Sequence, residues 1–84
     1  MDKDLIISDI RKNSSERIRI ALRSYKNSQF LDIRNFYDST GKETGFLPTK
    51  KGIAIQLPFL SELKKAVEEA IAQAEEWSIE NDTE

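Results

Sequence analysis

Glu16-Arg17-Ile18-Arg19-Ile20-Ala21-Leu22-Arg23-Ser24-Tyr25 is the stretch on which the fold turns. In an extended chain Ile18, Ile20 and Leu22 fall on one face, and Arg17, Arg19, Ala21, Arg23 and Tyr25 on the other. Successive side chains of a strand point to opposite faces, so this period of two predicts a half-buried β-strand. Lys26-Asn27-Ser28-Gln29 is a polar break of hairpin length, and the next apolar run should therefore return antiparallel. Phe30 to Tyr37 supplies that run, with Leu31 and Ile33 on the inward parity and Asp32 and Arg34 on the outward one. Phe30 and Phe36 disturb the alternation, which predicts a bulge or bend near Asn35.

Toward the C-terminus, Asp38-Ser39-Thr40-Gly41-Lys42 has turn composition and Gly45 marks a second loose point. Phe46-Leu47-Pro48 predicts a third strand, confined by its proline to an edge or a short piece. Gly52 then separates Thr49-Lys50-Lys51 from a fourth strand, in which Ile53, Ile55 and Leu57 face inward. Pro58 suits the first turn of a helix, where its missing N–H costs nothing. Leu60, Leu63, Val67, Ala70, Ile71, Ala74 and Trp77 recur at intervals of three and four, the mark of one apolar helical stripe. A helix running to about Ser78 would be roughly 30 Å long at about 1.5 Å per residue. That exceeds what so small a sheet can cover, and it leaves Leu63, Val67, Ala70, Ile71, Ala74 and Trp77 as a candidate homodimer seam.

Toward the N-terminus, residues 1–15 read as an arm with one short element of uncertain type around Leu5, Ile6, Ile7 and Ile10. The expected organisation is an arm over 1–15, a domain over 16–78 and an acidic tail over 79–84. The fold class is α+β: a four-stranded antiparallel sheet followed by one long C-terminal helix.

Composition narrows the function. Eighty-four residues without cysteine or histidine offer no disulfide, no thiolate nucleophile and no soft metal ligand, so neither enzyme nor cofactor is expected. No apolar run reaches the roughly 20 residues that span a bilayer, and the start Met-Asp-Lys-Asp lacks the basic opening of a secretory signal. An intracellular protein without membrane association follows. The net charge of −2 conceals segregation: Arg11 to Lys51 carries ten basic residues against four acids, and Pro58 to Glu84 two against eight. The first ten residues hold three aspartates against Lys3.

Arg17, Arg19 and Arg23 share a surface with Tyr25, Lys26 ends their strand, and Arg34 joins from a neighbour about 4.8 Å away. Lys50 and Lys51 extend the patch if their strand folds alongside. Cations neutralise phosphates, and aromatic faces stack on unpaired bases, so such a sheet selects single-stranded nucleic acid over duplex. The same residues are also compatible with a plain solvated face, or with an adaptor surface that docks an acidic protein partner. Neither stacking nor phosphate contact senses the 2′-hydroxyl, which keeps single-stranded RNA open beside DNA.

Several segments together resemble the transcriptional coactivators called positive cofactor four and their bacterial and phage relatives. These are Lys12-Asn13-Ser14, Ile18-Arg19-Ile20, Tyr25-Lys26, Leu31-Asp32-Ile33-Arg34, Phe36-Tyr37 and above all Pro48-Thr49-Lys50-Lys51-Gly52-Ile53. The resemblance implies a curved sheet, homodimerisation and paired channels for single-stranded DNA, with the transcription machinery as a further partner. It places Tyr25 and Tyr37 as stacking aromatics, Arg34 in the middle of the second strand, and Lys50 and Lys51 on the nucleic-acid backbone. Tyr25 and Tyr37 stand where eukaryotic members carry phenylalanine and tryptophan, and Ser28 replaces a lysine. A bacterial or phage-type member, in cytoplasm or nucleoid, is the implied class.

Overall fold

The computed structural model describes residues 4–81, with side chains as far as Trp77. Four strands, β1 (Asp4–Arg11), β2 (Glu16–Tyr25), β3 (Ser28–Asp38) and β4 (Phe46–Gln56), lead through a 3-10 turn (Leu57–Phe59) into α1 (Leu60–Asn81). They form one antiparallel meander in the order β1-β2-β3-β4.

The strand count matches the expectation, but its membership differs. The uncertain element of the 1–15 segment is β1, which pairs along β2 from Asp4 opposite Arg23 to Arg11 opposite Arg17. A register shift between Ile6 and Ser8 leaves Ile7 as an extra residue, and this bulge hides the alternation in Leu5-Ile6-Ile7. The expected third and fourth strands are instead one strand, β4. Pro48 is tolerated because β4 lies at the sheet edge, where a missing N–H breaks no ladder. The irregularity expected near Asn35 falls between Arg34 and Phe36 of β3. The surplus residues lie on β4, where Pro48 faces Phe36 and Gly52 faces Arg34.

The β2–β3 connection is a two-residue turn, with Lys26 at φ 48° and Asn27 at φ 65°. Positive φ at both central residues gives a type I′ turn, whose twist matches the flanking strands, and asparagine tolerates it well. Between β1 and β2, Asn13 Oδ1 accepts the backbone N–H groups of Ser15 and Glu16, and the Asn13 amide donates to the Glu16 carboxylate.

Register assigns the two faces. Leu5, Ile10, Ile18, Ile20, Leu22, Leu31, Ile33, Ile53 and Ile55 occupy the aliphatic face. The opposite face carries Asp4, Asp9, Arg17, Arg19, Arg23, Asp32, Arg34 and Phe36.

A half-buried sheet followed by an apolar-striped helix is expected to take that helix on one face. Instead α1 contacts the 3-10 turn before it and makes no extensive contact with any strand. The molecule measures 50 × 37 × 18 Å with a radius of gyration of 15.8 Å, against about 12 Å for a compact chain of this length. Among the described residues Ala21 is the one buried apolar side chain, while Leu5, Ile10, Ile53, Val67, Ile71 and Trp77 are each about half to two-thirds exposed. The helix runs three residues past Ser78, so the tail expected over 79–84 begins inside α1, and its residues 82–84 lie outside the described chain.

Candidate nucleic-acid interface

The arginines of β2 and β3 are brought together as expected, yet each is already engaged. Arg19 grips Asp9 bidentately, Nε to Oδ1 at 2.8 Å and a terminal nitrogen to Oδ2 at 3.0 Å. Arg17 reaches the same Asp9 at 3.6 Å, and Arg23 meets Asp4 at 3.3 Å and Asp32 at 3.9 Å. Arg34 is bidentate to Asp32 at 3.1 and 3.0 Å. The planar fork of a guanidinium fits a carboxylate in this way, so the geometry is as specific as it is attractive. Two aromatics belong here too, Phe36 among those that disturb the alternation: Arg19 lies 4.5 Å above the Phe36 ring, and Arg17 lies 3.8 Å above Phe46. Each contact places a guanidinium cation within cation–π range of a ring. A cleft of about 230 Å³ opens among Asp4, Ile6, Arg19, Arg23, Asp32 and Arg34.

Electrostatics follow from these contacts. The Arg19 hydrogen bond holds the Asp9 carboxyl below its ordinary value, against opposing desolvation, with the charges of Arg19 and Arg17 adding to the effect. Arg19 and Arg34 are raised in turn by the hydrogen bonds they donate to their carboxylate partners. Near the β3 end, the Thr40 hydroxyl lowers Asp38, and the backbone amides of Thr40, Glu43 and Thr44 assist. Glu16 is lowered first by the side-chain amides of Asn13 and Asn35.

Arg34 also donates to the Thr49 carbonyl at 2.8 Å, while the Thr49 hydroxyl donates to the Asn35 carbonyl and accepts the Lys51 N–H. Arg34 and Thr49 thus pin the irregular segment of β4 that carries Lys50 and Lys51. Gly52 makes this possible. A Cβ there would lie 2.8 Å from the Arg34 guanidinium carbon and 2.9 Å from the Ile33 carbonyl oxygen. The side chain could swing aside, but the backbone oxygen could not. Gly52→Ala is accordingly expected to destabilise the fold by about 1–3 kcal/mol, read as a lower urea midpoint at unchanged m-value. A midpoint equal to wild type would show that β4 yields without cost.

The remaining expected site residues divide between locations. Tyr25 is 53% exposed and shares the arginine face, with the Lys26 ammonium 5.3 Å from its ring at the hairpin tip. Lys50 and Lys51 are exposed at the β4 edge and form no ion pair among the described residues. Tyr37, half exposed, is paired with Glu16 and Leu47, on the parity opposite to Arg34. The residues that the sequence reading missed are Asp4, Asp9, Phe36 and Phe46. The excess of aspartate in the first ten residues was the available signal for the first two.

Comparison with known proteins bears on what such a sheet belongs to. Residues 12–66 match the family described as Transcriptional Coactivator p15 (PC4). The chain belongs to the PC4 family. A plant relative, the RNA polymerase II transcriptional coactivator KELP of Arabidopsis thaliana, is 35% identical, over 88% of this chain and 42% of the relative. This PC4-family chain therefore spans less than half the length of that protein. A PC4 homolog of Burkholderia pseudomallei, BPSL1147, superposes with a TM-score of 0.70 at 31% identity, covering 83% of this chain and 92% of the other. The bacteriophage T5 homolog, implicated in recombination-dependent DNA replication, shares the fold at a TM-score of 0.55 and 18% identity, over 99% and 98% of the two chains. PC4 homologs of both bacterial and phage origin thus share this sheet and its following helix.

Proposed function

We propose that this PC4-family chain is a non-catalytic, largely sequence-independent single-stranded-DNA-binding protein that works as a homodimer in transcription regulation or in replication and repair. The observation that carries the reading is Tyr25. An aromatic ring half open to solvent stands at the end of an arginine-bearing strand, with the Lys26 ammonium over one of its faces. A ring so placed offers a face to an unpaired base, and Lys26, Lys50 and Lys51 supply charges not already matched by carboxylates. Tyr37 adds a second exposed ring, which a strand could meet only by passing around the sheet.

Homodimerisation is supported by exposure. Described residues that bury one apolar side chain, while leaving an aliphatic sheet face and a helical stripe open, make no core of their own. A second copy would supply one. Among the described residues, no group of acidic residues is placed to hold a metal ion, and no helix is long and apolar enough to cross a membrane.

Fluorescence anisotropy with a labelled oligonucleotide and the matching duplex tests the proposal. Tight binding of the single strand and weak binding of the duplex are expected, with log affinity falling against log salt by about 0.7 per neutralised phosphate. Tyr25→Ala should weaken single-strand binding by roughly 1–3 kcal/mol, about 5- to 150-fold. Equal affinity for duplex and single strand would overturn the reading. Indifference to Tyr25→Ala, with equal affinity for any polyanion, would instead mark a surface for an acidic protein.

A further inference from the structure

On the arginine face every cation of β2 and β3 has a carboxylate in the place a phosphate oxygen would take. Two of the three carboxylates come from β1. Asp9 accepts the Nε and terminal N–H groups of Arg19 and neighbours Arg17, and Asp4 accepts from Arg23. β1 is an edge strand held to the sheet by β2 alone, and it lies outside the segment matched to the family. Asp4 and Asp9 are accessible, with side chains 53% and 24% exposed, whereas Asp32 is buried at 6%. The two groups of pairs therefore differ in kind. Asp32 with Arg34 is part of the internal framework, and Asp4 and Asp9 are a removable counter-charge along the edge strand.

We infer that Asp4 and Asp9 are affinity-determining residues of the DNA-binding face: they occupy the Arg17, Arg19 and Arg23 guanidinium groups and so limit how many phosphates of a bound strand the face neutralises. This rests on the single-stranded-DNA reading above. A phosphate oxygen and a carboxylate oxygen present the same acceptor to a guanidinium fork, and a site cannot be filled by both. With the carboxylates in place, the cations available to a strand are mainly the lysines of the hairpin tip and the β4 edge. With Asp9 neutralised, Arg17 and Arg19 become available together. With Asp4 neutralised, Arg23 does, although Asp32 still lies within 4 Å of it.

The test compares wild type with Asp9→Asn, Asp4→Asn and a control, Glu68→Gln, which removes one exposed negative charge from α1. Salt dependence of binding to one labelled single-stranded oligonucleotide is measured for all four. The slope of log affinity against log salt should steepen by up to about 1.4 in Asp9→Asn and up to about 0.7 in Asp4→Asn, at about 0.7 per phosphate. The control slope should equal that of wild type. Slopes unchanged in both aspartate variants, or shifted equally in the control, would overturn the inference and leave these arginines as structural struts. Where Asp9→Asn melts below the assay temperature, the half-exposed Asp4→Asn decides alone. Failure of wild type itself to bind the oligonucleotide would count against the underlying reading, and that outcome is distinct from wild-type binding with invariant slopes.

Discussion

Replacing Asp32 with alanine is expected to cost about 2–3 kcal/mol of folding stability. Asp32 is 4% exposed and sits between Ala21 and Ala54 on the neighbouring strands, two small residues that leave room for its carboxylate to lie over the sheet. It accepts two hydrogen bonds from Arg34 and lies 3.9 Å from Arg23. Removing one partner of a buried ion pair costs roughly 3–5 kcal/mol, because the other charge is left without compensation. The Arg34 side chain is 23% exposed and keeps the Thr49 carbonyl, so part of that cost returns as hydration and the expectation falls to about 2–3 kcal/mol. Asp32→Asn preserves the shape and one acceptor and should lose less. Urea denaturation of the three proteins at matched m-value reads the difference. A shift below about 0.5 kcal/mol for Asp32→Ala, the range of ordinary surface substitutions, would show that Arg34 finds equivalent partners.

What the sequence disclosed, and what it withheld, follows from the same pairing physics. β2 was legible because it alternates without interruption and both of its faces are chemically distinct. The hairpin followed from the polar break after Tyr25, and the helix from its proline and its apolar stripe. β1 escaped because a single bulged residue, Ile7, shifts the phase of everything beyond it, and a one-residue shift exchanges the two faces. That shift is what places Asp9 opposite Arg19, so the ion pairs were invisible for the same reason as the strand. β4 was divided in two because Pro48 and Gly52 are ordinarily strand breakers. Here one lies at an edge and the other makes room for a guanidinium. Phe30 and Phe36 looked like faults in the alternation, yet both keep strict parity with Asp32 and Arg34. Phe36 is apolar on a charged face because its ring lies beneath the Arg19 guanidinium. The arginines themselves were located correctly. Their pairing was not, since a positive segment reads as a free patch until register reveals the counter-charges.

Ile71→Glu should abolish the proposed dimer. Ile71 is 61% exposed on a helix that makes no extensive contact with any strand, in the same stripe as Val67 and Trp77. Burying an isoleucine side chain is worth roughly 1.5–3 kcal/mol, and a symmetric interface contains the residue twice. The substitution therefore removes about 3–6 kcal/mol from association, before any penalty for placing two carboxylates in an apolar seam. At about 1.4 kcal/mol per decade, the dissociation constant rises by roughly two to four orders of magnitude. Sedimentation equilibrium should then report a mass near 9.7 kDa for the variant and twice that for wild type. A wild-type mass of one chain would remove the dimer from the proposal, and a variant that stays dimeric would move the seam off this stripe. The consequence should extend beyond mass. With Ala21 as the one buried apolar side chain among the described residues, those residues leave the aliphatic sheet face without a packed cover. The variant should then lose its cooperative thermal transition along with its partner, because in an assembly of this kind folding and association are one equilibrium.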